Sequence, residues 1–243
     1  MGGRLVGLVA DEMRFAEVHE QLIAGERREA GVDVVVAGGH GQIARRLLGL
    51  LARDGHRARG LIRSADQVAD LEAVGAEAVL ADLEHDDLAD AVAGADAVVF
   101  AAGAGPGSGP ERKRTVDRDG AVKLLDAARK AGIMRYVLIS SMGADANAED
   151  DGGFGAYLRA KGEAEDAVRA AGIAHTIVRP GHLTDAPGTG YATAGASLPE
   201  GDISRDDVAT TLYLVIEGRR AVGETFDLIG GDDLTIGEAL DTL

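Results

Sequence analysis

The stretch VDVVVAGGHGQIARRLLGLLARDGH, residues 32–56, decides the fold class of this chain. It opens with the apolar, β-branched run VDVVVA, which is typical of a buried strand. After a glycine-rich turn, the segment QIARRLLGLLARDG repeats apolar residues at helical spacing, which indicates a helix that faces a core. Gly55 follows the last basic residue of that segment, as glycines that end helices do. The stretch therefore predicts a strand, a tight turn and a helix in immediate succession.

Small residues recur at every third position of the turn, at Gly38, Gly41 and Ala44. Gly38 ends the strand where an unusual φ is expected, Gly41 leaves room for a pyrophosphate beside the backbone, and Ala44 lets the helix pack closely on the strand. The helix that starts near Gly41 directs free N–H groups and its positive dipole end at such an anion. A plain strand-to-helix corner is the alternative, because the chain contains 35 glycines. The strand before the turn and the helix after it favour anion binding.

Similar apolar runs alternate with helical segments along the rest of the chain. The runs are VDVVVA (32–37), RARGLI (57–62), AEAVLA (76–81), ADAVVFA (95–101), RYVLIS (135–140), AHTIVR (174–179) and ETFDLI (224–229). Strands that are apolar throughout belong to parallel sheets covered on both faces. The pattern predicts a doubly wound α/β fold: a single parallel-sheet Rossmann domain over residues 31–243, with a small C-terminal substrate-side region. Residues 1–30 do not join the pattern and are predicted to be an N-terminal extension, whose degree of order is left open.

Two stretches break the alternation, and both leave the carboxyl ends of strands. GAGPGSGPERKR (103–114) follows the fourth run as a flexible loop, and GHLTDAPGTGYATAGASLPEGD (181–202) follows the sixth. Doubly wound sheets bind ligands at this edge, and long loops there tend to carry substrate contacts. In the next segment, ISRDDVA (203–209), we expect Ser204 to cap a helix and Asp207 to complete a capping box.

Composition narrows the classes of partner and of chemistry. The net charge of −16 argues against nucleic acid and anionic membranes as partners, since both need a basic surface. The chain has no cysteine, which excludes thiol catalysis and disulfides, and its six histidines show no metal-ligand spacing. No apolar run reaches the ~18 residues of a membrane span, and the N-terminus is a poor signal peptide. A cytoplasmic protein without a metal is therefore expected.

The end of the second strand bears on the choice of nicotinamide cofactor. Arg63 and Ser64 stand there, where a dinucleotide fold meets the ribose 2′ position. An acidic residue would accept a hydrogen bond from a 2′-hydroxyl, whereas a guanidinium binds a 2′-phosphate through two hydrogen bonds. Arg63 thus favours NADP over NAD, with a solvated surface arginine as the alternative. Asp82, after the third strand, is expected either near the adenine or as a helix cap.

A candidate for proton transfer follows the fifth strand. Ser141 ends that strand, and Tyr157 and Lys161 share one face of the next helix because they are four residues apart. A lysine cation near a phenol favours the phenolate, which lets the tyrosine act as an acid or a base. A serine hydroxyl near a carbonyl orients the substrate and stabilises developing charge. A surface helix pair is the alternative, since this tyrosine–lysine spacing is common by chance.

The order of these landmarks resembles the short-chain dehydrogenase/reductase superfamily over about residues 32–230. The landmarks are GGHGQIA, Arg63, DLE, AAG, SSMGAD, YLRAK and VRPGHLTDAPGTG. The last of them is most similar to an atypical group of NADP-binding proteins, the NmrA-like or NAD-dependent epimerase/dehydratase-like group.

The resemblance implies a role for each matching residue. It implies cofactor binding by Gly38, Gly41, Gln42, Ile43, Ala44, Arg63, Ser64, Asp82, Leu83, Ala101, Ala102, Gly103, Pro180, Gly181 and Leu183. It implies a catalytic set of Ser141, Tyr157 and Lys161, with Asp117 at the position of the family's active-site asparagine, where an aspartate adds negative charge. His40 and His182 are further candidates, for the phosphate and for the nicotinamide pocket.

Three functions follow from this interpretation. The first is an NADP-dependent oxidoreductase that transfers hydride between NADP(H) and a small carbonyl, alcohol or quinone-like substrate, with Tyr157 as the proton donor or acceptor. The second is a non-catalytic NADP(H)-sensing regulatory protein, which Asp117 and the lack of a separate substrate domain favour. The third is a nucleotide-sugar epimerase or dehydratase, whose substrate usually needs a larger C-terminal lobe. The expected partner is a small-molecule substrate; a second copy of the chain and a regulatory protein are left open.

Overall fold

A long, mostly parallel sheet forms the centre of the protein in a computed structural model that describes residues 31–105, 107–149 and 153–243. The strands are β1 (Asp33–Ala37), β2 (Arg57–Ile62), β3 (Glu77–Leu80), β4 (Ala97–Phe100), β5 (Arg135–Ile139), β6 (Ala174–Pro180), β7 (His182–Thr184), β8 (Tyr191–Gly195), β9 (Asp202–Ser204) and β10 (Thr225–Thr235). The main sheet has the order β3-β2-β1-β4-β5-β6-β10-β8, and β7 pairs with β9. This order confirms the predicted doubly wound α/β Rossmann fold. The predicted N-terminal extension, residues 1–30, lies outside the described residues.

Helices cover both faces of the sheet. They are α1 (Gln42–Arg53), α2 (Val68–Glu72), α3 (Ala89–Val92), α4 (Pro110–Lys113), α5 (Gly120–Lys130), α6 (Gly153–Ala170), α7 (Arg205–Glu217) and α8 (Ile236–Leu240). A π-helical turn (Arg114–Asp119) joins α4 to α5 without a break. π-Helical turns are rare in proteins, and many of those that occur lie at functional sites. No helix within the described ranges is both long and apolar enough to cross a membrane.

The run VVVA of β1 is apolar without interruption because the strand is covered from both sides. Val34 and Val36 pack into the apolar cluster beneath α1 and α7, whereas Val35 and Ala37 pack into the cluster beneath α5 and α6. All four side chains are fully buried. Strands of this kind lack the polar alternation of sheets that face water on one side.

The order of the strands places a crevice beside β1. This strand pairs with β2 on one side and with β4 on the other. The chain therefore runs outward from β1 to β3 and then crosses back to β4. Ligands of doubly wound sheets bind outside the carboxyl ends of the strands at this reversal. The glycine turn and the segment that follows β4 both lie at this edge.

The long loop expected over residues 181–202 contains short strands. The segment contains β7 and β8, and β9 begins at its end. The edge strand β8 runs antiparallel to β10, so the sheet is not parallel throughout. β8 has the sequence YATAG, and its small residues lack the β-branched run that identified the other strands. In the stretch 103–114, also predicted as a loop, helix α4 begins at Pro110.

The start of α7 is partly as expected. Ser204 is the N-cap, and its Oγ accepts the backbone N–H of Asp207 at 2.9 Å. The prediction that Asp207 completes a capping box is wrong, because its carboxylate accepts the N–H groups of Thr189 and Gly190 instead, at 3.0 and 2.8 Å. This buried carboxylate therefore fastens the PGTG turn to α7.

Candidate functional site

Close backbone packing shapes the glycine turn at the end of β1. Gly38 has a φ of +79°, in the left-handed region that favours glycine. A Cβ on Gly38 would lie 2.7 Å from the Cα of Ala102, and a Cβ on Gly39 would lie 2.7 Å from the Cα of Gly60. The turn thus passes between β2 and the segment after β4, and Gly39 is as constrained as the glycines that the motif spacing singles out.

The N-terminus of α1 offers donors to an anion. Its N-cap, Gly41, has no side chain that could cap the helix, and the first turn contains no acidic residue. The Gly41 N–H donates to the Gly38 carbonyl at 2.8 Å, but the first N–H groups of a helix have no partner within the helix. These groups and the positive end of the helix dipole suit a phosphate. The turn therefore fits the pyrophosphate of a dinucleotide.

A first cleft of about 300 Å³, cleft A, lies beside this turn at the carboxyl ends of β1, β2 and β3. Its lining includes the predicted residues Gly38, Gly41, Arg63, Asp82, Leu83, Ala101, Ala102 and Gly103. Arg63 is exposed at its edge and forms no ion pair in the described part of the chain. His40 also lines the cleft, with its Nε2 2.6 Å from a carboxylate oxygen of Asp70. Cleft A therefore presents an unpaired guanidinium where the second strand ends.

Asp82 serves its own turn while it lines cleft A. Its Oδ1 accepts the backbone N–H of Glu84 at 2.8 Å, and His85 lies within ion-pair distance of its Oδ2 at 3.2 Å. Partial burial alone would raise the pKa of Asp82, but these two partners and the charge of Arg63 outweigh it and lower the pKa below 3.8. Asp82 thus lines the cleft, and a contact with the adenine stays a prediction. The alternative, a cap of the next helix, is wrong, because α3 has Leu88 as its N-cap and no side-chain cap.

A second cleft of about 560 Å³, cleft B, continues from cleft A. The segment 101–104 lines both, so the two form one groove along the carboxyl edge of the sheet. The predicted residues that line cleft B are Ile43, Ala101, Ala102, Gly103, Asp117, Ser141, Tyr157, Lys161, Pro180, Gly181 and Leu183. The structure therefore brings the four predicted catalytic side chains together at one end of a groove whose other end is the glycine turn.

Asp117 and Lys161 form a buried ion pair at the base of cleft B. Lys161 Nζ lies 3.3 Å from Asp117 Oδ1, and their side chains are 5% and 1% exposed. Nζ also donates to the carbonyl of Ile139 at 3.1 Å, while Asp117 Oδ2 accepts the N–H of Ala104 at 3.1 Å. Within the described residues, Asp117 Oδ1 has ion-pair contact but no hydrogen bond. The pair therefore joins the end of β5 to the segment after β4.

Tyr157 stands between two cations. Its ring centroid lies 5.3 Å from Lys113 Nζ and 5.8 Å from Lys161 Nζ. Phe154, one turn earlier on α6, stacks on the ring at a centroid distance of 6.1 Å. The phenol is half-buried and lines cleft B. The predicted shared face of Tyr157 and Lys161 is therefore realised, together with a second lysine from α4.

Tight packing holds α6 against the end of β5. A Cβ on Gly162 would overlap the backbone of residues 145–146, so only glycine fits there. The fully buried Glu165 accepts Ser140 Oγ at 2.5 Å and Arg179 Nε at 2.8 Å, which ties α6 to β5 and β6. The next residue along β5, Ser141, donates only weakly to the Met142 carbonyl at 3.2 Å, and its hydroxyl lines cleft B. Both serines line cleft B, but the Ser140 hydroxyl donates to Glu165, whereas the Ser141 hydroxyl donates only to its neighbour's carbonyl.

Some predicted residues lie outside both clefts. Gln42 and Ser64 are exposed, and Ala44 is buried beneath the start of α1. Ala44 is small and buried, as the motif requires where the helix packs closely on the strand. A cofactor contact by Gln42 or Ser64 stays a prediction. His182 lines cleft B, but its side chain is 79% exposed and pairs with Asp202 at 3.2 Å.

Several lining residues were missed by sequence reasoning. They include Gln67, Glu84, Arg112 and Val116 in cleft A, and Lys113, Ser140, Phe154 and Arg205 in cleft B. A signal existed for Arg112 and Lys113, which belong to the run ERKR in a stretch where substrate contacts were expected. Arg205 had no such signal, because the fold brings it to the cleft from the start of α7. Among the described residues, no three side chains of metal-binding type come together.

The chain is similar to known proteins over most of its length. It is 40% identical over 213 residues to the uncharacterized sugar epimerase YhfK of Bacillus subtilis, which covers 86% of this chain and 99% of that one. The structure matches a Bacillus halodurans protein, described as a candidate NAD-dependent epimerase/dehydratase, with a TM-score of 0.81 and 35% identity over 88% of this chain and 100% of that one. It also matches the oxidoreductase ylbE of Lactococcus lactis, with a TM-score of 0.75 and 25% identity over 87% and 96% of the two chains.

A protein-family model covers the part of the chain that builds the groove. The model, described as NAD(P)H-binding, matches residues 38–218, from the glycine turn to the end of α7. The matched range includes every residue of the ion pair, the tyrosine face and the Arg63 edge. With the fold, the glycine turn and these similarities in agreement, the chain belongs to the NAD(P)H-binding family.

Proposed function

We propose that this protein is an NADP-dependent oxidoreductase of the short-chain dehydrogenase/reductase type, which transfers hydride between NADP(H) and a small carbonyl, alcohol or quinone-like substrate. One observation carries the proposal: Ser141, Tyr157, Lys161 and Asp117 converge on cleft B, which shares the segment 101–104 with cleft A. A dinucleotide bound along this groove would have its phosphates held by the glycine turn and its nicotinamide held by the residues of cleft B.

The exposed edge of cleft A favours NADP over NAD. Among the described residues, no carboxylate lies within ion-pair distance of Arg63, which acts on Asp82 only at longer range, so its guanidinium can bind a 2′-phosphate directly. Burying part of an unpaired cation beside a phosphate also gains electrostatic energy that a 2′-hydroxyl cannot supply. The same edge contains Gln67, a neutral donor. These contacts are the support for NADP.

In carbonyl reduction, the residues of cleft B handle the proton. The nicotinamide, when bound, supplies the hydride to the carbonyl carbon. Tyr157 donates its hydroxyl proton to the carbonyl oxygen, and Ser141 donates a hydrogen bond to the same oxygen. Lys161 holds positive charge 5.8 Å from the phenol ring and stabilises the phenolate that remains. In the oxidative direction each proton moves the opposite way.

Asp117 sets the position of Lys161. The carboxylate fixes the ammonium from the side of the segment 103–105, and the Ile139 carbonyl fixes it from β5. These two contacts hold the Lys161 ammonium at the base of cleft B. The negative charge of Asp117 also offsets part of the field that Lys161 exerts on the tyrosine.

The test is NADPH oxidation across a panel of aldehydes, ketones and quinones. We expect turnover with at least one class, and we expect Tyr157→Phe to lower kcat by about 10²–10⁴-fold, the usual contribution of a proton donor. Tyr191→Phe, on the edge strand β8 away from the cleft lining, is the matched control. The proposal fails if NADPH binds but no substrate of the panel is reduced, and equally if the two tyrosine variants behave alike.

A second candidate is a regulatory protein that senses NADP(H) without turnover. The buried Asp117–Lys161 pair favours it, because the carboxylate neutralises the cation on which the chemistry depends. A protein partner that is captured with NADPH and released with NADP⁺ would support this candidate. A third candidate function is that of a sugar epimerase, because the Bacillus subtilis relative is named as one. Incubation with a nucleotide sugar in deuterated water would detect this activity as deuterium exchange at a sugar carbon.

A further inference from the structure

The charge that lines cleft B is positive in a strongly acidic protein. The chain has a net charge of −16, yet the cleft is lined by Lys113, Lys161 and Arg205. In the described part of the chain, Asp117 is the only carboxylate of the lining, and it is committed to Lys161. A concave site with a local excess of one charge concentrates ligands of the opposite charge. The lining of cleft B therefore favours an anionic ligand, although the net charge of the whole protein is negative.

Lys113 is the cation that is free to bind. No carboxylate among the described residues lies within ion-pair distance of its Nζ, which faces the Tyr157 ring at 5.3 Å. Lys161, by contrast, is paired with Asp117, and Arg205 is paired with Asp185 at 2.9 Å. Lys113 is also half-buried, so that an anion it binds is partly shielded from water. A charge-assisted hydrogen bond is strongest in such a place.

The residues near Lys113 also indicate the shape and polarity of the rest of the ligand. Phe154 lines the cleft, stacks on Tyr157 and remains 64% exposed, so its apolar ring is available to a ligand. Ile43 and Leu183 add apolar surface on the opposite side of the cleft. Glu149, the described acid of the approach to α6, is exposed and does not line the cleft. The surroundings therefore suit a flat apolar body that carries an anionic group.

We propose that the substrate of cleft B is a carbonyl compound with a carboxylate close to the reacting carbon and an apolar, planar body, and that Lys113 binds the carboxylate. The inference rests on the proposed function, since it assigns the substrate class of the same site. Lys113 Nζ lies 5.3 Å from the centroid of the Tyr157 ring and both side chains line cleft B, so one small molecule can contact both. The carboxylate fixes the ligand at Lys113, the carbonyl oxygen meets the tyrosine, and the body lies against Phe154.

The experiment separates binding from turnover. Benzoate and benzamide have the same shape and differ in charge, so their dissociation constants are measured by calorimetry on the NADP⁺-loaded protein. We expect benzoate to bind about tenfold more tightly, the ratio that one partly exposed charge-assisted hydrogen bond supplies. We expect this ratio to fall to about one in Lys113→Met and to be largely kept in Lys113→Arg. Lys130→Met, an exposed lysine at the end of α5 outside the cleft, is the control and should keep the ratio of the wild type.

Three results would overturn the inference: no saturable binding of benzoate, equal or tighter binding of benzamide, or an unchanged ratio in Lys113→Met. A pair of compounds that can be reduced, an acid and its ester, distinguishes a failure of this inference from a failure of the proposed function. Benzoylformate should be reduced with a lower KM than its methyl ester, and Lys113→Met should raise the KM for the acid alone. If neither compound is reduced but the benzoate ratio depends on Lys113, the oxidoreductase proposal fails and the anion site stands. If both are reduced with no effect of Lys113→Met, the oxidoreductase stands and the anion site fails.

Discussion

Replacing Arg63 by alanine removes the unpaired guanidinium at the edge of cleft A and leaves the glycine turn intact. NADPH and NADH differ only in the 2′-phosphate, so the variant separates the contacts to that group from all the others. The end of β2 keeps its backbone pairing with β1 and β3, which does not involve the side chain of Arg63. We therefore expect a loss of NADPH affinity without a loss of fold.

The magnitude follows from the exposure of Arg63. A hydrogen bond to a charged group contributes ~1.5–3 kcal/mol, and solvent screening at an exposed site places Arg63 at the low end of that range. A loss of ~1.5 kcal/mol raises the Kd for NADPH about tenfold. The Kd for NADH should change by less than about twofold, because a 2′-hydroxyl gains little from a guanidinium. The effect on NADPH should also shrink as salt is added, since exposed charges are screened within about 10 Å at 0.1 M.

The assay is fluorescence titration of both cofactors against the wild type, Arg63→Ala and Arg57→Ala. Arg57 is exposed at the opposite end of the same strand, where it pairs with Glu77, and its loss should leave both constants unchanged. Equal weakening of NADPH and NADH by Arg63→Ala would refute the assignment of the 2′-phosphate to this edge. An unchanged NADPH constant would refute it as well.

Three further changes test the scaffold and the ion pair by urea unfolding. Gly39→Ala forces a methyl group against the backbone of Gly60, and we expect the free energy of unfolding to fall by about 1–3 kcal/mol. Asp117→Ala leaves the Lys161 ammonium buried without its carboxylate, and we expect a fall of about 3–5 kcal/mol. Burial, the largest influence on Asp207, raises its pKa above 3.8, so its contribution to stability is complete below its unfolded-state pKa and decreases as the pH rises through its folded-state pKa. The stability advantage of the wild type over Asp207→Asn should therefore shrink as the pH rises from about 3.8.

Each of these changes has its own check. A Cβ on Gly109 meets nothing within 4 Å, so Gly109→Ala should leave stability nearly unchanged. Asp119 is 43% exposed and pairs with Arg118, so Asp119→Ala should cost less than about 1 kcal/mol. Equal costs for Asp117→Ala and Asp119→Ala would contradict the buried pair. A wild-type advantage over Asp207→Asn that grows with pH would contradict the assigned pKa direction.

Local patterns were enough to predict the glycine turn and the tyrosine face. The run VVVA indicates a strand that is buried on both sides, and glycine is needed at position 38 because φ is positive there. The strand and the turn can therefore each be inferred from a few neighbouring residues. The spacing of Tyr157 and Lys161 places them on one face of any helix. The chain order of the strands then brings both features to the same edge of the sheet.

Features that depend on distant residues could not be predicted. Gly39 is constrained by Gly60 on the neighbouring strand, and nothing in the motif spacing reports that contact. Asp117 meets Lys161 only because the π-helical turn aims it at α6. The edge strand β8 is held by pairing with β10 rather than by its own β propensity. In each case the deciding partner lies more than 20 residues away in the chain.

The structure of the NADPH complex tests the central claim most directly. We predict the 2′-phosphate against Arg63, the pyrophosphate at the N-terminus of α1, and the nicotinamide over the segment 101–104 with its reactive face toward Tyr157. A cofactor whose nicotinamide lies outside cleft B, or whose adenosine occupies it, would contradict the account.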